Sequence, residues 1–259
     1  MNKPDNLNSF QVLINIIAEL RGPQGCPWDR KQTHLTLREH LLEETYEVLE
    51  ALDNNDYTEL KAELGDLLMQ VVMHSQLACE EGKFNICDVI ESINAKLIRR
   101  HPHVFGTAKP RTAEEVLVHW EQIKRNERPD QAGMLEGVPK SLPALSYSQS
   151  IQDRVARVGF DWPEDSGVLE KIVEEVQEFK TSSTDEEKEV EFGDILFTLA
   201  NFARRQGIDL ESALRTANAK FYRRFSSLEE IAKKRGIDIS KLTLNEMNQL
   251  WDEIKAEEN

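Results

Sequence analysis

Four acidic residues in the second half of the chain have the types and spacing for metal chemistry. They are Glu175 and Glu178 in EEVQE, and Glu191 and Asp194 in EFGD. Residues three apart on a helix share a face, about one turn from each other, so each pair projects together. The stretch 179–190 between the pairs has room for the end of one helix, a turn at Thr181-Ser182-Ser183-Thr184, and the start of the next. An antiparallel helix hairpin would bring the four carboxylates to one spot, where unpaired they repel strongly. A hard divalent cation relieves that repulsion. Carboxylates with retained waters suit Mg²⁺, which binds through a few acidic groups plus substrate phosphates. The same constellation occurs earlier, as Glu44 and Glu47 in EETYE with Glu63 and Asp66 in ELGD. A recurring ExxE…ExxD set is harder to read as a merely solvated acidic face than a single one.

Each acidic set is followed by cations four residues apart, Lys220 and Arg224 in KFYRR and Lys96 and Arg100 in KLIRR. Taken alone, such pairs read as salt bridges to the excess of acids or as charges complementing a helix C-terminus. Beside a metal, phosphate binding is favoured, because a triphosphate needs both a divalent ion and fixed cations. Trp251 and Lys255 in WDEIK match Trp120 and Lys124 in WEQIK. The Trp either packs in the core or offers its face to a nucleobase. Trp28 in CPWD and Trp162 in GFDW read as packing residues ahead of the carboxylate helices, and Cys26 and Cys79 as small buried or partly buried side chains. Gly65 and Gly193 interrupt the acidic helices. Each costs about 1 kcal/mol relative to Ala, which predicts a close approach of another helix at each cluster.

The elements that must carry these residues are helical. Apolar periodicity predicts helices over 8–20, 35–53, 57–81 and 86–100, with RGPQGCPWD and HPHVFG as loops. In the second half it predicts helices over 144–158, 167–181, 185–206 and 209–235. Thr112–Glu115 and Thr243–Glu246 read as capping boxes ahead of the two Trp-bearing helices. Strand alternation is absent, so the fold class is all-α. The halves align motif by motif: Glu44 with Glu175, Asp66 with Asp194, Lys96 with Lys220, Trp120 with Trp251. An internal duplication explains this economically. The expected organisation is an N-terminal helical domain at 1–125, a linker at 126–143 and a C-terminal helical domain at 144–259.

Composition narrows the function. A net charge of -15 over 259 residues disfavours a duplex binder that works by neutralising phosphates, so no nucleic-acid partner is expected. The three Cys are odd in number, lie in the first half and form no CxxC, which points to a reducing cytoplasm and no disulfide framework. No apolar run approaches the ~20 residues of a spanning helix. The N-terminus has no signal-peptide apolar region. A soluble cytoplasmic protein without a membrane partner is therefore expected. All six His residues lie in the first half, so no His serves a mechanism confined to the second. No Glu-x-x-His pair occurs, which argues against a di-iron carboxylate bundle.

With CPWD, EETYE, ELGDLL, KLIRRHPHVF and WEQIK, then GFDW, EEVQE, EFGDILF, KFYRRF and WDEIK, nearly the whole chain resembles the MazG family in its two-domain bacterial form. The resemblance implies two repeated helical bundles of the all-α NTP pyrophosphatase type. It implies Mg²⁺-dependent hydrolysis of nucleoside triphosphates to monophosphate and pyrophosphate, with broad base specificity and a nucleotide-pool sanitising or stress-related role. It also implies a homodimer, and a C-terminal repeat that is the main catalytic site. Carried over by motif, Glu175, Glu178, Glu191 and Asp194 would hold Mg²⁺, with Glu44, Glu47, Glu63 and Asp66 as the second set. Lys171, Lys220 and Arg224 would contact the phosphates, and Trp251 and Lys255 would lie near the nucleotide. In the mechanism expected from such a site, one cluster carboxylate, Glu178, takes the proton of the attacking water as general base, and Lys220 and Arg224 stabilise the departing pyrophosphate. His40 stands where Lys171 stands in the other repeat, which makes the first copy the weaker candidate. The alternative is a helical module that binds a nucleotide or a partner protein without turnover.

Overall fold

The structure is a computed structural model describing residues 6–107, 112, 115, 116, 123 and 133–257. Among these residues there are ten α-helices, two short 3₁₀ turns and no strand. The chain divides into two compact units, Met1–Pro129 and Asp130–Asn259.

In the first unit, α1 (Phe10–Arg21) leads through a 3₁₀ turn (Asp29–Lys31) into α2 (Leu37–Asp53), α3 (Tyr57–Glu80), α4 (Ile86–Arg100) and the short α5 (Pro102–Phe105). Asn55, at φ 54°, turns the chain between α2 and α3. Asp56 then caps α3 by accepting from the Thr58 and Glu59 N–H groups, satisfying donors that a helix start leaves without partners. A capping box at Asn85 and Asp88 opens α4. Ile17, Leu37, Val72, Met73, Leu77 and Ile86 close the core between α1, α2, α3 and the start of α4. HPHVFG contains the helical turn α5, where the sequence predicts only a loop. Pro102 at its first turn has the φ that a helix start requires and lacks an N–H that would go unpaired there.

The second unit contains α6 (Ala144–Ala156), α7 (Asp165–Thr181), α8 (Asp185–Arg205), α9 (Leu210–Lys234), a 3₁₀ turn (Ile239–Lys241) and α10 (Leu244–Glu257). The α7–α8 turn is set by Thr184. Its hydroxyl accepts from the Glu187 N–H, while Glu187 accepts from the Ser183 and Thr184 N–H groups. This capping box escapes the sequence reading because its Glu sits in a run of acids. Gly207, at φ +68°, stops α8. The predicted box at Thr243 and Glu246 is present. At Thr112 the hydroxyl accepts from the Glu115 N–H, as predicted there, while Trp120 and Lys124 lie outside the described residues. Leu228, Leu250 and Ile254 form the α9–α10 core, and Val168 is fully buried on α7. Ahead of α6, Arg154 donates to the carbonyls of Met134 and Glu136, and Val138 is buried.

Charged clamps close the hairpins at their feet. Arg204 donates to Asp161 at 2.6 Å. Arg205 Nε donates to Asp165 at 2.6 Å and its Nη1 to the Trp162 carbonyl at 2.7 Å. Trp162 lies against Gly167, where a Cβ would sit 2.6 Å from the indole. Trp28 is instead largely exposed and edge-on to His40, so the two loops pack differently. Cys79 is exposed and Cys26 partly buried.

These clamps imply a pH dependence. At Asp161 burial pushes the carboxyl upward, but the Arg204 hydrogen bond and charge outweigh it and the value falls below normal. At Asp165 the hydrogen bonds from Arg205 and Gln206 lower it directly. A carboxylate with a depressed folded value contributes stability that is fully present above its ordinary value of 3.8 and is lost as the pH falls through the depressed one. Acid unfolding followed by circular dichroism is expected to be shallower below pH ~4 in an Asp161→Asn/Asp165→Asn variant than in wild type.

Candidate active site

Helices α7 and α8 pack side by side as the expected antiparallel hairpin. Carboxylate oxygens of Glu175, Glu178 and Glu191 lie within 4.8 Å of one another. Asp194 lies one turn along α8, and its charge acts on Glu191. Glu175 is almost fully buried at 4 % exposure, while Glu178 faces solvent. A buried acid beside exposed ones makes a cluster open on one side, where a phosphate could enter. Burial pushes Glu191 up, and Glu178, Glu175 and Asp194 push it further, with Lys171 opposing.

Lys171 is the internal counter-ion. Its Nζ is 2.7 Å from Glu175 and 2.9 Å from Glu174, and these hydrogen bonds raise its pKa well above the usual lysine value. Lys171 is therefore firmly charged and leans on the most buried acid of the cluster. Glu174 has no part in the sequence reading, because only the three-dimensional path of the Lys171 side chain selects it over its neighbours.

The first unit gathers a different trio. Glu44, Glu63 and Asp66 offer oxygens within 4.8 Å of one another, and Glu47 acts on both Glu44 and Glu63. Burial, then Glu47, Glu59 and Asp66, pushes Glu63 up to about 7. Burial also raises Glu44, opposed by a hydrogen bond from the Gln70 amide at 3.4 Å and reinforced by Asp66 and Glu47. His40 turns to Glu43 at 3.4 Å. Where the second cluster has a lysine on its buried acid, the first has a neutral, buried amide. Gln70 corresponds to Thr198, also buried, and its role is invisible in a sequence alignment of acidic motifs.

The expected cations and aromatic lie on the other helix pair. Arg224 on α9 sits over Trp251 on α10, 6.0 Å from the ring centroid. Phe221 packs on the same ring at 5.4 Å. Trp251 also covers the α9–α10 core, so packing and a partly free face coexist. Lys220 is exposed, and Lys255 is 3.1 Å from Asp252, one turn back. The structure thus joins Arg224 with Trp251 and joins Lys171 with the carboxylates, each on its own helix pair.

Gly65 and Gly193 do not mark a close helix approach. Among the described residues, nothing lies within 4 Å of a Cβ built at either position. Both face open space on the carboxylate helices, so their helix-propensity cost is not offset by packing within the chain.

The donor set fits a hard divalent cation. Every ligand atom offered is a carboxylate oxygen, as Mg²⁺ and similar ions prefer, and burial together with the neighbouring acids raises Glu191 and Glu63, which a cation would oppose.

Comparison with known proteins agrees with this geometry. The MazG nucleotide pyrophosphohydrolase domain matches the chain twice, at residues 32–105 and 165–228. The chain belongs to the MazG family. Its matched segments contain both carboxylate hairpins together with Lys220 and Arg224. A nucleoside triphosphate pyrophosphohydrolase/pyrophosphatase MazG of Thermotoga maritima is 44% identical over 248 residues, covering 95% of this chain and 96% of that protein. A nucleoside triphosphate pyrophosphohydrolase of Escherichia coli K12 is 44% identical over 260 residues, covering 97% and 99%. The Bacillus subtilis protein YabN is 46% identical over 256 residues, with 97% of this chain matching 52% of its length.

The pairing of Lys171 with Glu175 can be tested through metal. Replacing Lys171 with Met leaves a buried carboxylate without its counter-ion, at a cost of about 1–2 kcal/mol once the partial exposure of the lysine is allowed for. Added Mg²⁺ is expected to raise the melting temperature of Lys171→Met more than that of wild type, measured by differential scanning fluorimetry.

Proposed function

We propose that the protein is a cytoplasmic, Mg²⁺-dependent nucleoside triphosphate pyrophosphohydrolase that releases pyrophosphate and leaves the nucleoside monophosphate. The observation that carries this reading is the trio Glu175, Glu178 and Glu191, brought within 4.8 Å on a hairpin inside a matched pyrophosphohydrolase segment. Names of the long relatives support the same substrate class. When bound, Mg²⁺ supplies charge neutralisation for the phosphate oxygens and acidity for water.

The chain supplies the rest. Glu175, Glu178, Glu191 and Asp194 would hold the ion, with Glu175 fixed in place by its burial and by Lys171. Lys171, held beside the cluster, offers a cation to the triphosphate. Water attacks the α-phosphorus, and the bond from that phosphorus to the bridging oxygen breaks. Exposed Glu178 accepts the proton of the attacking water as general base. Lys220 and Arg224 stabilise charge on the departing pyrophosphate. Trp251 offers a face for the base, with Lys255 one turn away. Stacking tolerates every base, because each has a π-face, which supports broad base specificity. A pool-sanitising or stress-related role follows from such breadth.

The first repeat is proposed as the weaker site, since Glu44 meets the Gln70 amide where Glu175 meets Lys171, and His40 turns to Glu43. A homodimer is part of the proposal. Ile90, Ile93, Leu97 and Ile98 are exposed on α4, and apolar side chains grouped in this way on a helix mark an association surface.

Incubation with Mg²⁺ and a panel of NTPs and dNTPs is expected to yield pyrophosphate and monophosphate in equal amounts. Glu178→Gln is expected to lower kcat by about 10²–10⁴-fold with the fold intact. Orthophosphate with a diphosphate would sink the α-attack. Nucleotide binding without turnover in wild type would favour a non-catalytic module. Sedimentation is expected to show dimers, and monomers for Ile93→Asp/Leu97→Asp.

A further inference from the structure

The clamp at the foot of the α7–α8 hairpin has more to hold than a loop. The carboxylates across the hairpin repel, because oxygens of Glu175, Glu178 and Glu191 lie within 4.8 Å of one another. At the closed end, the short turn with its Thr184 capping box joins the helices covalently. At the open end, only side chains resist splaying and slippage. Asp165 begins α7 and Arg205 ends α8, and the clamp sits there.

Its geometry is specific. Arg205 Nε and Gln206 Nε2 each donate to one oxygen of Asp165 at 2.6 Å. Arg205 also reaches the Trp162 carbonyl at 2.7 Å and Asp161 at 3.2 Å. Arg204 donates to the same Asp161 oxygen at 2.6 Å and approaches Asp153 of α6 at 3.7 Å. The two arginine side chains are only 13% and 15% exposed. Charge-assisted bonds of this kind fix position as well as contributing energy.

Helical register is the quantity they fix. One residue of slip moves a helix by about 1.5 Å and turns its side chains by about 100°. Either change exceeds the roughly 0.5 Å and 10–20° within which a binding constellation has to be held. Glu175 and Glu191 lie roughly 15–20 Å from the clamp along the helices, so it acts on them only through the rigid pair.

The first unit solves the same problem with opposite donors. There the acid, Glu80, ends the second carboxylate helix, and Arg21 at the end of α1 pairs with it at 2.7 Å. The Arg21 guanidinium also donates to the carbonyls of Asp29 and Gln32, in the loop that enters α2. Its side chain is 6% exposed. What both repeats share is therefore a constraint: a buried guanidinium ties the loop before the first carboxylate helix to the end of the second. The residues that supply it differ.

We infer that Asp161, Asp165, Arg204 and Arg205 are positioning residues for the Glu175/Glu178/Glu191 cluster, holding α7 in register with α8 so that the carboxylates can share one cation. The inference rests on the reading of that cluster as a metal site.

The experiment uses the full chain carrying Glu44→Gln/Glu63→Gln, which removes oxygens of the first cluster and leaves the second to report. Mn²⁺ serves as the probe, titrated by electron paramagnetic resonance, alongside far-UV circular dichroism, melting temperature and the Mg²⁺ dependence of pyrophosphate release. Asp161→Asn/Asp165→Asn is expected to keep its helicity and to weaken Mn²⁺ binding about tenfold, the usual scale for losing an outer partner of a metal ligand. The half-saturating Mg²⁺ concentration is expected to rise in parallel, while KM for the triphosphate at saturating Mg²⁺ changes by less than about twofold. Asp165→Glu, which can still reach Arg205, is expected to restore most of the affinity. If the double variant fails to fold, Asp165→Asn alone, with the Arg204–Asp161 pair kept, carries the same test at smaller amplitude. A fall in melting temperature with Mn²⁺ affinity within about twofold of the parent would overturn the inference and leave the clamp a stabiliser only. A parent that binds no Mn²⁺, with the second cluster intact, would instead overturn the metal reading and this inference with it.

Discussion

Mutual repulsion of carboxylates is the constraint on which the rest of the structure depends. Each unit forces acids from two helices into a space a few ångströms across, an arrangement that costs free energy until a cation arrives. Named contacts around the clusters oppose that cost. Glu175 is met by Lys171. Glu44 receives the Gln70 amide. The hairpins are joined by capped turns at one end and pinned by buried guanidinium groups at the other. A site that is destabilised when empty and stabilised when filled couples metal binding to order, which is useful where the metal travels with the substrate.

The two repeats balance their charges differently. In the second, a permanent cation, Lys171, leans on Glu175 and Glu174. In the first, a neutral amide, Gln70, donates a hydrogen bond to Glu44, and Glu63 rises to about 7. Duplication produced two similar hairpins; the electrostatics around them then diverged.

Much of this was legible in the sequence. Helix boundaries followed from apolar periodicity to within a few residues, with α4 matching its expected span, because amphipathic helices need one buried stripe every turn. The carboxylate-bearing hairpins were legible because ExxE and ExxD spacing forces a shared face and the short connection forces a hairpin. The misreadings have a common cause. Gly65 and Gly193 suggested tight packing, yet both face open space. Trp28 was expected to pack and is half exposed. Each depends on which side of a helix or loop meets another element, and local spacing does not specify that.

The sequence by itself determined the helical class, the duplication, and which acids share a face, because these follow from periodicity along one chain. Only the tertiary structure decided which of the eight acids come within reach of one another, that Lys171 chooses Glu174 and Glu175, and that the Gln70 amide reaches Glu44. It alone showed that Arg21 in one repeat and Arg204 with Arg205 in the other perform one task from unrelated positions. Those outcomes depend on helix register and side-chain path across the packed pair, and residues distant in the chain set both.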